Sequence, residues 1–371
     1  MKNNINWAEP FFDNEEFKNV KDCFRTDRFT AGKKVLAFEE KMSKITGAKY
    51  ALAVSNGTVA LDLAFKAIGI KPGDEVIVPA ISYFSTASSI SYQKAIPVFV
   101  DVDIKSCCID PSEIKKAINK KTKAITFIDY GGTPADYKEI KKVAKKHNIP
   151  IILDAAQSLG GKYNSKNLGF DGEISTMSFH LAKIITTIEG GMIFTNKKKI
   201  YEDLLIRRNI GEPKNKKYTH TLLGTNARMS DLHAGFGLAQ VKKLNQIVRL
   251  RKKITQKYNK FFNKEKEITL FKTSKKGNES ANFFYPILID NRDKIAKVLR
   301  DKYGIDTRIA YPTPIYNQPL YKKKIEPSKK FKCPNAEKIS KRILNLPIFP
   351  KMKDKEIKYV SDCLLKIIRN K

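Results

Sequence analysis

The feature that most constrains this fold is a series of short, almost wholly apolar segments separated by amphipathic ones. Residues 96–102, 123–129, 150–153, 174–179 and 192–195 are strand-length and apolar, and residues 111–119 and 135–147 between them carry helical periodicity. A strand without a polar face must be covered on both sides. The alternation therefore predicts an α/β fold on a mainly parallel sheet with helices on each face. Ligands of such folds gather at the carboxyl ends of the strands. Two further strands are predicted at residues 50–54 and 75–79, behind a polar lead-in with helices at 14–24 and 35–45. From Ser230 a long helix runs through Gln246 and beyond, and its small residues Ala234, Gly235, Gly237 and Ala239 suit close helix packing. Past about residue 250 the pattern changes, with strands predicted at 283–289 and 307–311 and helices at 292–303 and 353–369. We expect a large domain over residues 1–248 and a smaller α+β domain over residues 249–371.

Three places stand out on chemical grounds. Lys183 is alone among Leu181, Ala182, Ile184 and Ile185. A desolvated ammonium is costly, so this side chain either snorkels to water or is held as a neutral amine, a nucleophile that forms Schiff bases. On its own it reads equally well as an ordinary surface lysine. Asp154 directly follows Ile151, Ile152 and Leu153 at the end of a predicted strand. It caps the next segment or faces a buried cation, and in a helical segment Gln157 would lie one turn away. Ser55-Asn56-Gly57-Thr58 joins a strand to a helix. Free amides at the positive end of the helix dipole make an anion site there, and plain capping by a small polar residue is the simpler reading.

The formal net charge of +33 would suit nucleic acid, a membrane surface or anionic metabolites. The lysines, however, are spread in short clusters at 197–199, 214–217 and 322–324, without an aromatic platform or a nucleic-acid motif. A solvated basic surface fits better, and no nucleic-acid partner is expected. Five cysteines without a CxxC pair and four histidines without ligand spacing predict free thiols and no metal site. No stretch approaches the roughly 18–20 apolar residues of a membrane span, and the N-terminus lacks the apolar core of a signal peptide. The reading is a cytoplasmic protein with no membrane partner.

Taken together, SNGT (55–58), PGDEVIVP (72–79), SYFST (82–86), PVFVDVD (97–103), DAAQ (154–157), SFHLAK (178–183), EGG (189–191) and NARMSD (226–231) closely resemble the pyridoxal-phosphate aminotransferases of nucleotide-sugar metabolism, the DegT/StrS family. The motifs occur in the family's order and cover nearly the whole chain. The resemblance implies fold type I, with a mainly parallel seven-stranded sheet in the large domain, and a homodimer with shared active sites. Lys183 would carry pyridoxal 5'-phosphate as a Schiff base and shuttle the proton, while Asp154 would keep the ring nitrogen protonated so that the ring acts as an electron sink. Gln157 would bond the ring hydroxyl and Tyr83 would stack on the ring. Gly57, Thr58 and Ser178 would hold the phosphate, joined by Asn226 from the neighbouring subunit. The implied substrates are L-glutamate, which leaves the cofactor as pyridoxamine 5'-phosphate, and a nucleotide-linked keto-sugar.

Lys183 separates the chain from the family's dehydratases, which have histidine there. ITTIEGG at 185–191 looks more like members that aminate carbon 4 of a 4-keto-6-deoxy sugar than those acting at carbon 3. The alternatives are a carbon-3 or cyclitol aminotransferase and a non-catalytic, nucleic-acid-binding regulator. Joint retention of Lys183, Asp154, Gln157, Ser178 and Asn226 speaks against the regulator. Two residues depart from the family: Asp129 and Tyr316 stand where many relatives have histidine, at positions expected near the substrate.

Overall fold

A computed structural model describes residues 4–25, 29–271, 277–324 and 331–369. Two helices lead in, α1 (Asn14–Cys23) and α2 (Lys33–Thr46). Then follow β1 (Tyr50–Val54), α3 (Gly57–Ala67), β2 (Glu75–Pro79), α4 (Phe84–Tyr92), β3 (Ile96–Val100), α5 (Pro111–Ala117), β4 (Thr122–Ile128), α6 (Tyr137–Lys146) and β5 (Ile151–Asp154). A hairpin of β6 (Lys162–Tyr163) and β7 (Lys166–Asn167) precedes β8 (Ile174–Ser178), β9 (Gly191–Thr195), α7 (Lys198–Arg208) and α8 (Asp231–Phe262).

Among the described residues, seven of these strands form one sheet in the order β1-β9-β8-β5-β4-β2-β3. The pairs β8–β5, β5–β4, β4–β2 and β2–β3 are parallel. Only β9 runs against its neighbours, β1 and β8. The reason is local: β8 and β9 are joined by a loop with no crossover helix, and a parallel pairing needs such a crossover. All five residues of β2 and of β9 are buried, as strands covered on both faces must be. On α6 the residues Tyr137, Ile140 and Ala144 are buried, spaced three and four apart, so one stripe faces the sheet. Removing an isoleucine such as Ile140 from water contributes about 1.5–3 kcal/mol.

The long helix α8 is capped by Ser230, whose side chain accepts from the His233 amide at 3.2 Å. Its small residues act as the sequence suggests. A methyl added at Gly235 would lie 3.1 Å from the Asn19 carbonyl of α1, and one at Gly237 would lie 3.0 Å from the Phe38 ring of α2. The helix passes unbroken through residue 248. Its Leu244 and Ile247 join the apolar cluster around the large sheet, while Ile254, Tyr258 and Phe262 join a second cluster. We propose that the two domains divide within this helix, between those two groups of residues.

The second cluster packs on a sheet of β10 (Thr269–Leu270), β11 (Tyr285–Leu288) and β12 (Ile343–Leu346), with α9 (Arg292–Tyr303), α10 (Pro319–Lys324), α11 (Pro334–Arg342) and α12 (Asp354–Arg369) around it. The strand expected at 307–311 does not form. Arg308 makes a single bridge to Asn345, and Pro312 and Pro314, which lack amide donors, follow at once. This segment instead turns into the cavity described next. All five cysteines are buried as thiols, and no helix among the described residues is long and apolar enough to cross a membrane.

Candidate active site

The carboxyl ends of β1, β2, β5 and β8 open on one cavity of about 780 Å³. It is lined by Gly57, Thr58, Tyr83, Asp154, Gln157, Ser178 and Lys183, seven of the eight expected site residues, brought together from four separate loops. Asn226 is the exception: it is exposed and bridges Asn209 outside the cavity.

At one end of the cavity lies the start of α3. Asn56, rather than a serine or threonine, is the cap, and its side chain accepts from the Val59 amide at 2.9 Å. The first turn of a helix leaves further amides without intrahelical partners, and those of Gly57 and Thr58 belong to residues that line the cavity. Glycine is required here by closeness. A methyl at Gly57 would sit 2.8 Å from the Ser178 Cβ, and one at Gly191 would strike the Asn56 carbonyl and come within 2.9 Å of the Gly57 amide. The EGG motif thus lets β9 press its backbone against the helix start. Gly191→Ala is expected to cost about 1–3 kcal/mol by overpacking and to weaken anion binding at α3. An unchanged melting temperature together with unchanged cofactor affinity would refute this account of the motif.

At the other end Asp154 terminates β5. Its Oδ2 accepts from the Thr86 hydroxyl at 2.7 Å and its Oδ1 from the Ala156 amide at 3.2 Å. The residues after it form a turn and not the helix that the i, i+3 spacing allowed, yet Gln157 still reaches the cavity. Its Oε1 accepts from the Gly131 amide at 2.7 Å, which leaves Nε2 directed toward the Tyr311 hydroxyl at 3.4 Å. Lys183 sits in the turn after β8 with Nζ over the Phe283 ring, 4.9 Å from its centre.

The model of the DegT/DnrJ/EryC1/StrS aminotransferase family matches residues 10–365. The chain belongs to that family. It is 34% identical over 362 residues to the GDP-perosamine synthase of Escherichia coli O157:H7, covering 96% of each. It is 30% identical over 374 residues to the UDP-4-amino-4,6-dideoxy-N-acetyl-beta-L-altrosamine transaminase of Campylobacter jejuni, covering 98% of this chain and 97% of that protein. The solved structure of Helicobacter pylori PseC, an aminotransferase involved in the biosynthesis of pseudoaminic acid, superposes with a TM-score of 0.94 at 28% identity, over 99% of this chain and 100% of that one. The protein is a pyridoxal-phosphate-dependent aminotransferase of fold type I.

In this aminotransferase the electrostatics of the cavity follow from burial. Burial drives the Lys183 ammonium down to about 8, against the opposing pull of the Asp154 charge. Burial also raises Asp154, against hydrogen bonding from Thr86 and the Lys183 charge. Desolvation therefore outweighs mutual attraction for both groups. Because only the neutral amine attacks an aldehyde, capture of pyridoxal phosphate by the cofactor-free aminotransferase is expected to accelerate as pH rises through about 8 and then level off. Stopped-flow absorbance checks this. A rate still climbing toward the ordinary lysine range, about 10.4, would show an unperturbed amine.

The two departures from the family lie elsewhere than expected. Asp129 is fully buried and does not face the cavity: it accepts from the Tyr137 hydroxyl at 2.7 Å, the Ser158 hydroxyl at 2.6 Å and the Ala135 amide at 2.9 Å. Tyr316 is packed against Phe99 and Phe331 and bonds Glu337 at 2.7 Å. Neither is among the residues that line the cavity.

Other wall residues were not singled out from sequence. Trp7, Phe283, Phe284, Arg308 and Tyr311 line the side contributed by the lead-in and the C-terminal unit, with the Arg308 guanidinium 5.3 Å above the Trp7 ring. Thr86 was legible in principle, since it stands three residues after Tyr83 at a helix start. Nothing local marks Trp7 or Arg308; tertiary folding alone brings them in.

Proposed function

We propose that the protein transfers the amino group of L-glutamate to carbon 4 of a nucleotide-linked 4-keto-6-deoxy sugar, for amino-sugar and surface-glycan synthesis. The observation that carries the reading is the convergence of Lys183, Asp154, Gln157, Tyr83 and the α3 start on one cavity. The similarity to a GDP-perosamine synthase and to a UDP-4-amino-4,6-dideoxy-N-acetyl-beta-L-altrosamine transaminase supports a nucleotide sugar, and the second supports a 4-amino-4,6-dideoxy product.

The residues present fit the cofactor. Because Gly57 has no Cβ, the helix start closes on Ser178, which brings the Gly57 and Thr58 amides and the Ser178 hydroxyl together as a phosphate site requires. Asp154 is a buried carboxylate with capacity for one more donor, which suits a ring nitrogen. Gln157 suits the ring hydroxyl and Tyr83, exposed at the cavity mouth, suits the ring face. Bound pyridoxal phosphate supplies an electron-withdrawing ring that stabilises charge on the reacting carbon. Asp154 keeps the proton on the ring nitrogen by opposite charge. Lys183 Nζ, its ammonium form disfavoured by burial, would move a proton between the donor's α-carbon and the cofactor's reacting carbon in the first half of the reaction, and between that carbon and carbon 4 of the sugar in the second. The low-dielectric walls of Phe283, Phe284 and Trp7 restrict water around that transfer.

The active unit in this reading is a homodimer. Asn226 faces solvent outside its own cavity, free to complete the phosphate site of a second copy, and the exposed apolar residues Phe24, Leu36 and Ile188 suit burial by that copy. The test is a panel of nucleotide-linked 4-keto-6-deoxy sugars, nucleotide-linked 3-keto sugars and free cyclitol ketones, each with L-glutamate and scored for aminated product by mass spectrometry. Selective turnover of the 4-keto sugars is expected. A preference for 3-keto sugars or free ketones would overturn the carbon-4 assignment.

A further inference from the structure

We propose that Thr86, backed by Ser82, is the positioning residue that keeps Asp154 ionised and aimed at the cofactor's ring nitrogen. The inference rests on the pyridoxal-phosphate reading of the cavity. Its basis is a buried chain of hydroxyls at the start of α4, with Ser82 just before the Tyr83 cap and Thr86 in the first turn. Ser82 Oγ lies 2.7 Å from Thr86 Oγ1, which lies 2.7 Å from Asp154 Oδ2. All three residues are almost wholly buried, at 2%, 0% and 5% exposure.

The direction of the chain follows from chemistry. An ionised carboxylate can only accept, so the Thr86 hydroxyl donates to it. That leaves the Thr86 oxygen to accept, and Ser82 is the neighbour placed to donate. A hydrogen bond to a charged group is about twice as strong as a neutral one, and a donor that is itself accepting is polarised further. Burial pushes Asp154 toward the neutral acid, and the Thr86 bond is the first force that opposes it. A neutral acid would contribute no charge to hold a proton on the ring.

Packing alone does not explain the residue. Valine has nearly the same shape and needs no partner, so it would be cheaper to bury at a fully enclosed position. The hydroxyl is worth keeping only for what it touches. The same helical turn also carries Tyr83 at the cavity mouth and Ser85, whose Oγ lies 2.7 Å from Thr58 Oγ1 at the α3 start. SYFST thus sets the ring-nitrogen partner, the ring face and the phosphate end from one rigid element, and Thr86 is its link to the carboxylate.

The experiment loads wild type, Thr86→Val and Thr86→Ser with pyridoxal phosphate labelled with ¹⁵N in the ring. The ring-nitrogen resonance is then followed by NMR between about pH 6 and pH 9. Wild type and Thr86→Ser are expected to stay protonated across this range, and Thr86→Val to lose the ring proton within it. In the same samples the single-turnover reaction with L-glutamate should slow roughly 10- to 100-fold in Thr86→Val, with half-saturating glutamate unchanged, and recover in Thr86→Ser. A wild-type nitrogen titration in Thr86→Val, or serine rescuing no better than valine, would overturn the proposal. A lowered melting temperature without a moved titration would reduce Thr86 to packing and overturn it equally. Should Thr86→Val not fold, Ser82→Ala carries the test, with a smaller shift in the same direction expected and an unmoved titration refuting. If wild type shows no bound ring-nitrogen signal at all, the cofactor reading itself fails and takes this inference with it.

Discussion

Replacing Lys183 by alanine is expected to lower turnover by roughly 10⁴-fold, because in the proposed reaction one side chain would supply both the covalent attachment of the cofactor and the proton transfer. The fold should survive. Lys183 lies in a turn and not in a strand, and its ammonium is disfavoured by burial, so its removal takes away a desolvation cost along with the contact to Phe283. Cofactor should still bind through the α3 start, Gln157 and Asp154, but should leave on dialysis or gel filtration, and borohydride should no longer fix it to the chain. Turnover within tenfold of wild type would mean that another residue performs the chemistry, and the account built on Lys183 would fall.

Asp154→Asn carries the next largest effect, an expected fall of about 10²- to 10³-fold in the single-turnover rate. The amide keeps the shape and can still accept from Thr86, so cofactor should bind; what would disappear is the charge proposed to hold the ring proton. Stability should move the other way. Burial raises the folded pKa of Asp154 above its unfolded value, so protonation favours the fold, and the ionised form costs stability once pH rises past the folded value. The amide has no such cost. Cofactor-free Asp154→Asn is therefore expected to melt no lower than wild type at pH 7, while reacting far more slowly. Unchanged rates would show that Asp154 does not face the ring nitrogen.

The large sheet was legible because its signal is local. Strands such as β5 are built on continuous apolar runs, here Ile151, Ile152 and Leu153, and a run of that kind fixes both the element and its burial on two faces. The orientation of β9 was not, since antiparallel pairing with β1 and β8 depends on the path of the 179–190 loop rather than on any residue within the strand. The strand expected at 307–311 failed for a related reason: Pro312 and Pro314, which follow it, lack amide donors, and the segment lines the cavity instead of pairing.

The site divides along the same line. Lys183, Asp154 and the 55–58 turn were each ambiguous until set beside one another, and the structure places all three on one cavity. Asp129 and Tyr316, expected near the substrate, are both turned into the protein, because a residue's place along the chain does not settle which way its side chain points. Asp129 turns toward Tyr137 and Ser158, whose hydroxyls satisfy a buried carboxylate that burial raises to about 6. Thr86 shows the opposite case, a residue whose spacing was visible but whose partner, 68 positions away, became apparent only in three dimensions.

The most direct test of the central claim is mass spectrometry of the loaded protein after borohydride reduction and proteolysis, with and without prior L-glutamate. In a chain with 71 lysines and arginines, the account predicts one pyridoxyl modification, on the peptide that contains Lys183, and its disappearance when glutamate is added first. Modification spread over other lysines, or a Lys183 label indifferent to glutamate, would contradict it.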